Sequence, residues 1–214
     1  MSISTAAILL GVTRTGRAED AKTFPKRPKV LLLGDSIRMS YQPIVVKKLE
    51  TRAEVVGPGE NCQYSQYTLC SLDRWIKQFG KPDIVHWNNG LHDVGHNFNR
   101  KPAQVPLETY VANLELIIER LKALTSRIVW ASSTPVQPDE QAKVTSWTFR
   151  NDEIVRYNQA AVALMRKQAV PVNDLHAVVC AHRREYFSAD QVHLNAAGRE
   201  ACADAIVKAV GGFL

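Results

Sequence analysis

The chain reads as an α/β domain, a parallel sheet covered by helices on both faces, and two observations lead there. Three short, continuously apolar runs each end in small or polar residues, as strands buried on both faces of a parallel sheet do. Between them lie longer segments with apolar residues at helical spacing, the crossovers that parallel strands require. The chain has 214 residues, 45% hydrophobic and 22% charged, enough to enclose one core.

The elements follow in order. Lys29-Val30-Leu31-Leu32-Leu33-Gly34 is the first buried strand, and Ile44, Val45, Lys48 and Leu49 mark a helix after it. Ala53-Glu54-Val55-Val56 is a shorter strand. Leu69, Leu72, Trp75, Ile76 and Phe79 then recur at helical intervals. Asp83-Ile84-Val85-His86-Trp87-Asn88 is the next strand, and Val111, Leu114, Ile117, Ile118 and Leu121 the next helix. Arg127-Ile128-Val129-Trp130-Ala131 is the fourth strand. The segment Pro135 to Thr148 is polar and contains Pro138, so it reads as a long loop. Ile154 to Met165 is helical, Val170-Pro171-Val172 a short strand, and Ala197 to Val210 the last helix.

Ligands in open α/β sheets bind at the carboxyl ends of the strands, so residues just after strands carry the functional signal. Gly34-Asp35-Ser36-Ile37 follows the first strand. Ser36 at that junction can raise its hydroxyl into the crevice, or Asp35 or Ser36 can simply cap the helix. Asp190-Gln191-Val192-His193-Leu194-Asn195 precedes the last helix. Asp190 can bind one imidazole nitrogen of His193 and leave the other facing outward as a base. The same stretch also suits a surface turn with Asn195 as a cap. Asn88-Asn89-Gly90-Leu91-His92-Asp93, after the third strand, clusters side-chain donors where an oxyanion would need them, or is ordinary turn chemistry.

Several chemistries are excluded or disfavoured. There is no G-x-S-x-G elbow, H-E-x-x-H, C-x-x-C or P-loop. His92 and His96 flank Asp93 four residues apart, but Gly95 and Asn97 argue against one helix presenting both to a metal. His86, His176 and His182 read as structural. No apolar run reaches the roughly 18 residues of a membrane span.

The formal net charge is +6, which raises the question of an anionic partner. Residues 1–29 carry Arg14, Arg17, Lys22, Lys26, Arg27 and Lys29 against Glu19 and Asp20. That start holds +4 of the +6, with no interleaved aromatics, so nucleic-acid binding is not expected. Residues 1–28 are expected to be a flexible basic segment and 29–214 a single domain. Ala6-Ala7-Ile8-Leu9-Leu10-Gly11-Val12 followed by Gly16-Arg17-Ala18 resembles a weak or truncated export signal. Read so, the protein is secreted or periplasmic and Cys62 can pair with Cys70; otherwise it is cytoplasmic. Cys180 and Cys202 fall in helices, as free thiols.

Taken together, Gly34-Asp35-Ser36-Ile37 and Asp190 to His193, the latter followed by Leu194-Asn195 and Gly198, resemble the SGNH, or GDSL-type, hydrolase superfamily. Ile37 stands where its Gly-Asp-Ser-Leu motif has Leu, and the resemblance runs from about Lys29 to Val210. It implies a three-layer α/β/α sandwich with a flavodoxin-like five-stranded parallel sheet in the order 2-1-3-4-5. It also implies ester hydrolysis without a metal or organic cofactor. Ser36 would attack the acyl carbon, His193 would carry its proton, and Asp190 would orient the imidazole. The family's oxyanion donors map onto the Ser36 N–H, onto Gly59 or the neighbouring Asn61, and onto the third block. There His92 stands in the usual place of Asn, with Asn88 or Asn89 as other donors. The form Asn-Asn-Gly-Leu-His-Asp is similar to a branch of carbohydrate-active esterases. The substrate this likeness implies is a small-molecule or carbohydrate ester, with a carbohydrate O-acetyl group as the expectation. The alternatives are a lipase- or thioesterase-like enzyme and a binding protein that keeps the fold. Trp147 would stack on a sugar ring or anchor its loop by packing.

Overall fold

The computed structural model describes residues 27–98, 100–137, 141–144 and 147–214, with only the backbone described over 141–144. Residues 1–26 of the expected basic start, with the export signal, lie outside the described residues, as do Pro138, Asp139 and Glu140 in the polar segment.

The main sheet is built from β1 (Lys29–Leu33), β2 (Glu54–Val56), β3 (Ile84–Trp87), β5 (Ile128–Ala131) and β8 (Val172–Asn173). All are parallel, in the order β2-β1-β3-β5-β8. Counting only these five strands in chain order, that is the expected 2-1-3-4-5. Val30, Leu31, Leu32, Leu33, Ile84, Val85, Trp87, Ile128, Val129, Trp130 and Ala131 are all buried, which is why those strands read as unbroken apolar runs. The edge strands β2 and β8 are short and partly exposed.

The principal helices are α1 (Ser36–Leu49), α2 (Ser65–Phe79), α4 (Leu107–Lys122), α5 (Asn151–Lys167) and α7 (Ala196–Gly211), with short α3 (Leu91–Val94) and α6 (Leu175–Cys180). One layer packs α1 and α6 against α7, and the other packs α4 against α2 and α5. α1 presents Ile37, Arg38, Tyr41, Val45 and Leu49 inward, a helical stripe with one cation in it. Among the described residues no helix is long and apolar enough to cross a membrane.

One expectation is corrected. The stretch read as a long loop, Pro135 to Thr148, contains β6 (Gln141–Val144) and the start of β7 (Trp147–Arg150), which with β4 (His96–Asn97) form a second, antiparallel sheet in the order β4-β7-β6. The physical reason for β7 lies in Trp147-Thr148-Phe149, three consecutive β-favouring residues. Trp147 and Phe149 share one face of β7, their rings nearly parallel at a centroid distance of 6.3 Å. His96 pins this sheet to α5. Its Nε2 lies 2.6 Å from Glu153 and its Nδ1 2.7 Å from the Arg100 carbonyl.

The cysteines are free thiols, so no Cys62–Cys70 disulfide is present. Cys62 is buried with its sulfur 3.6 Å from Arg38 Nη2, while Cys70 is exposed on α2. Cys180 and Cys202 lie in α6 and α7.

Candidate active site

The turn after β1 divides two duties between neighbouring residues. Asp35 caps α1, its Oδ1 accepting the Ile37 N–H at 2.9 Å. Ser36 is therefore spared the capping role, and its Oγ lies 2.8 Å from His193 Nε2. On the far side of the ring, Nδ1 lies 2.6 Å from Asp190 Oδ2. The carboxylate accepts the Nδ1–H, which leaves Nε2 unprotonated toward the Ser36 hydroxyl.

The Asp190–His193 pairing is local. Asp190 Oδ1 accepts the His193 N–H at 2.8 Å, the Val192 N–H at 3.0 Å and the Ser188 hydroxyl at 2.8 Å. Gln191 takes a positive φ of 64° to close this turn. Desolvation pushes the Asp190 pKa up, but it is outweighed by hydrogen bonds from His193, Val192 and Ser188, which hold the carboxyl well below the usual carboxylate range. Asn195 caps α7, its Oδ1 accepting from the Gly198 N–H at 3.1 Å, so the cap expected there forms directly after the Asp190–His193 pair.

The expected oxyanion donors separate into those that share a cavity with Ser36 and those that do not. Ser36, Asn61, Leu91, His92, Trp147, Phe149, Val192 and His193 line one cavity of about 270 Å³. The Ser36 N–H is one of the first-turn amides that a helix leaves without an internal acceptor. Asn61 Oδ1 accepts the Gln63 N–H at 2.7 Å, and its Nδ2 faces His92 Nε2 at 3.4 Å. Burial lowers the His92 pKa, helped by the positive charge that His193 can carry and opposed by Asp35.

Gly59 lies instead in a separate depression with Arg38, Met39, Gln42, Pro43, Val46 and Pro58. The loop crosses α1 there and reaches the Ser36 cavity only two residues later. Asn89 is consumed inside the fold. Its Oδ1 accepts Trp87 Nε1–H at 2.7 Å, and its Nδ2 donates to Gln63 O at 3.1 Å and Thr68 Oγ1 at 3.0 Å. Asn88 Nδ2 likewise donates to Ala131 O at 2.8 Å. Both asparagines satisfy buried backbone and side-chain groups, as buried amides must.

Three further residues shape the site. Gly90 has φ 148°, and a Cβ there would collide with Ser133 Oγ, so α3 can begin only on glycine. Gly95 is a seat for Trp147, whose Cε3 would lie 2.6 Å from an added Cβ. Trp147 in turn meets the His92 ring edge-on at 5.6 Å. Trp147 thus packs against the site rather than standing free on a loop.

Sequence reasoning missed Arg38. It is buried and clasps the loop before Asn61, donating to Pro58 O at 2.7 Å, Glu60 O at 2.6 Å, Gln42 Oε1 at 2.8 Å and, through Nε and Nη2, to Gly34 O at 3.2 and 3.1 Å. The available signal was its spacing with Tyr41, Val45 and Leu49, which places a cation on the inward stripe of α1. His86 is buried in β3, its Nε2 accepting from Asn173 Nδ2 at 3.1 Å. His92 and His96 lie on different elements and meet different partners. Among the described residues no three His, Cys, Asp or Glu side chains cluster to hold a metal.

Comparison with known proteins identifies the family and the fold. The GDSL-like lipase/acylhydrolase family matches residues 32–201. A comparison with curated protein sequences found no match. Similar solved structures include a lipase/acylhydrolase from Enterococcus faecalis, 19% identical, with a TM-score of 0.72 over 87% of this chain and 97% of that one. Another is Axe2, an acetylxylan esterase from Geobacillus stearothermophilus, 20% identical, with a TM-score of 0.71 over 87% of this chain and 95% of that one. A third is the acetyl xylan esterase AlAXEase, 18% identical, with a TM-score of 0.68 over 85% and 99%. At these identities the likeness is one of fold.

Proposed function

The chain belongs to the GDSL-like lipase/acylhydrolase family and is a hydrolase acting on esters, and from that premise we propose that it is a serine esterase working through Ser36, His193 and Asp190. The observation that carries this reading is the continuous relay from Ser36 Oγ to His193 Nε2 at 2.8 Å and from His193 Nδ1 to Asp190 Oδ2 at 2.6 Å, opening on the cavity that holds Ser36.

Ser36 Oγ attacks the acyl carbon as His193 Nε2 takes its proton. Asp190 stabilises the imidazolium so formed and stays ionised itself. The oxyanion is met by the Ser36 N–H and the Asn61 Nδ2–H. His193 then passes its proton to the leaving alkoxide, and water repeats the cycle on the acyl-enzyme.

The substrate we infer is a small acyl ester, an O-acetyl group on a carbohydrate. Leu91, Trp147, Phe149 and Val192 wall the cavity, a surface suited to a short acyl chain on one side and a sugar face on the other. The acetylxylan esterases of like fold make acetylated sugars the first substrates to try.

The test is p-nitrophenyl acetate hydrolysis by the protein and by Ser36→Ala, followed by acetylated xylo-oligosaccharides against butyryl and octanoyl esters. Loss of turnover in the variant with preference for acetyl esters is expected. Equal rates for the two proteins would remove the esterase reading and leave a binding protein of this fold.

A further inference from the structure

We propose that His92 is a positioning residue: its Nε2 accepts a hydrogen bond from the Asn61 amide and aims that amide at the oxyanion, instead of His92 donating to the oxyanion itself. The inference rests on the esterase reading above and adds a division of labour within the site.

The argument starts from the orientation of the Asn61 amide. The Gln63 N–H donates to Asn61 Oδ1 at 2.7 Å. Turning the amide over would set two donors against each other, so the oxygen must face Gln63 and the nitrogen must face away. That nitrogen lies 3.4 Å from His92 Nε2. An amide nitrogen only donates, so Nε2 must offer a lone pair. A neutral imidazole has one N–H and one lone pair, so the His92 proton sits on Nδ1. The nitrogen turned toward Asn61 therefore has no hydrogen to offer an oxyanion.

Two surroundings favour this form. The ring lines the cavity with Leu91 and Trp147, and Trp147 meets it edge-on at 5.6 Å, fixing its plane. Burial, against the opposing pull of Asp35 and with a smaller contribution from the nearby His193, disfavours a second proton on it. The Asn61 amide carries two hydrogens: one is held by His92 and the other is left for the substrate oxygen. Anchoring the first removes the rotation of a terminal amide, the kind of preorganisation that makes an oxyanion donor effective. A histidine in the third block thus supports a donor supplied by the second.

The experiment is a double-mutant cycle on p-nitrophenyl acetate with Asn61→Ala, His92→Ala, the double variant and His92→Gln, whose Oε1 can accept in place of Nε2. Asn61→Ala is expected to lower kcat by about 10²–10³ with little change in KM. His92→Ala is expected to lower kcat by roughly 10–100-fold, and the double variant should be no slower than Asn61→Ala alone. His92→Gln should recover most of the loss. Independent, multiplying losses would overturn the proposal and make His92 a donor in its own right. So would an unaffected Asn61→Ala, or a His92→Gln variant as slow as His92→Ala. Ser36→Ala is run alongside: retained activity there would instead strike down the esterase reading itself.

Discussion

Arg38→Met should destabilise the protein through two carbonyls 20 and 22 residues further along the chain. The guanidinium is buried and donates to Pro58 O at 2.7 Å and Glu60 O at 2.6 Å, as well as to Gln42 and Gly34. Methionine keeps much of the stem volume and removes the donors. Gly34 O retains a partner, because the Cys62 N–H donates to it at 3.1 Å. Pro58 O and Glu60 O have no second donor among the described residues. An orphaned buried carbonyl costs about 1–3 kcal/mol. Glu60 O, at a half-buried position, recovers some water, which puts it at the low end. Relief from burying a cation returns part of the cost. The net loss is about 2–4 kcal/mol, against the roughly 5–15 kcal/mol that holds a typical domain together. Arg38→Lys keeps one point donor in place of a fork and should fall between. Urea unfolding of the three proteins at one pH, extrapolated to water, measures this directly. Because the same loop carries Asn61, kcat should fall in Arg38→Met at temperatures well below its unfolding. A stability within about 0.5 kcal/mol of the parent would refute the clasp.

Asp93 gives a pH signature. It is buried, with Oδ1 accepting from the Ser65 N–H at 2.9 Å and from the Ser65 hydroxyl, while Oδ2 has no partner among the described residues. Burial raises its pKa to about 7, more than the Ser65 hydrogen bonds lower it. The folded protein thus holds a proton that the unfolded chain releases near pH 4, so this group's contribution falls as pH rises, by about 1.4 kcal/mol per unit up to pH 7. Asp93→Asn lacks that slope and should gain on the parent by about 3 kcal/mol between pH 4.5 and 7; a constant difference in urea titrations would argue against a protonated Asp93. Trp147→Ala should widen the cavity beside Ser36 and shift the butyryl-to-acetyl ratio of kcat/KM upward by about tenfold or more, since one methylene in an apolar pocket is worth about 1–3 kcal/mol. An unchanged ratio across p-nitrophenyl esters would show that Trp147 does not bound the acyl group.

What could be read in the sequence follows the range of the interactions involved. The central strands were legible because both their faces are buried, so each reads as one apolar run. The Ser36 turn and the Asp190–His193 pair were legible because their geometry is local. Asp35 caps its own helix, and Asp190 binds a backbone and a ring three residues away. The second sheet was hidden because its short strands carry no unbroken apolar run of the kind that marks the buried strands, and two of them begin in a stretch that is polar overall. The donor set was hidden for a different reason. Asn61, Asn88, Asn89 and His92 are chemically interchangeable as candidates, and only long-range partners distinguish them. Asn89 is claimed by Thr68 and the Trp87 indole, Asn88 by a carbonyl of β5, and Gly59 is carried past α1. Asn61 alone is oriented by Gln63, faces His92, and sits in a loop tied to the Ser36 turn by a cation of α1. An oxyanion donor is defined by where its neighbours force it to point. A motif can supply the nucleophile and its base, but the electrostatic part of such a site is specified by residues scattered across the chain, here Arg38, Gln63 and His92, none of which touches the reacting atoms in the mechanism proposed.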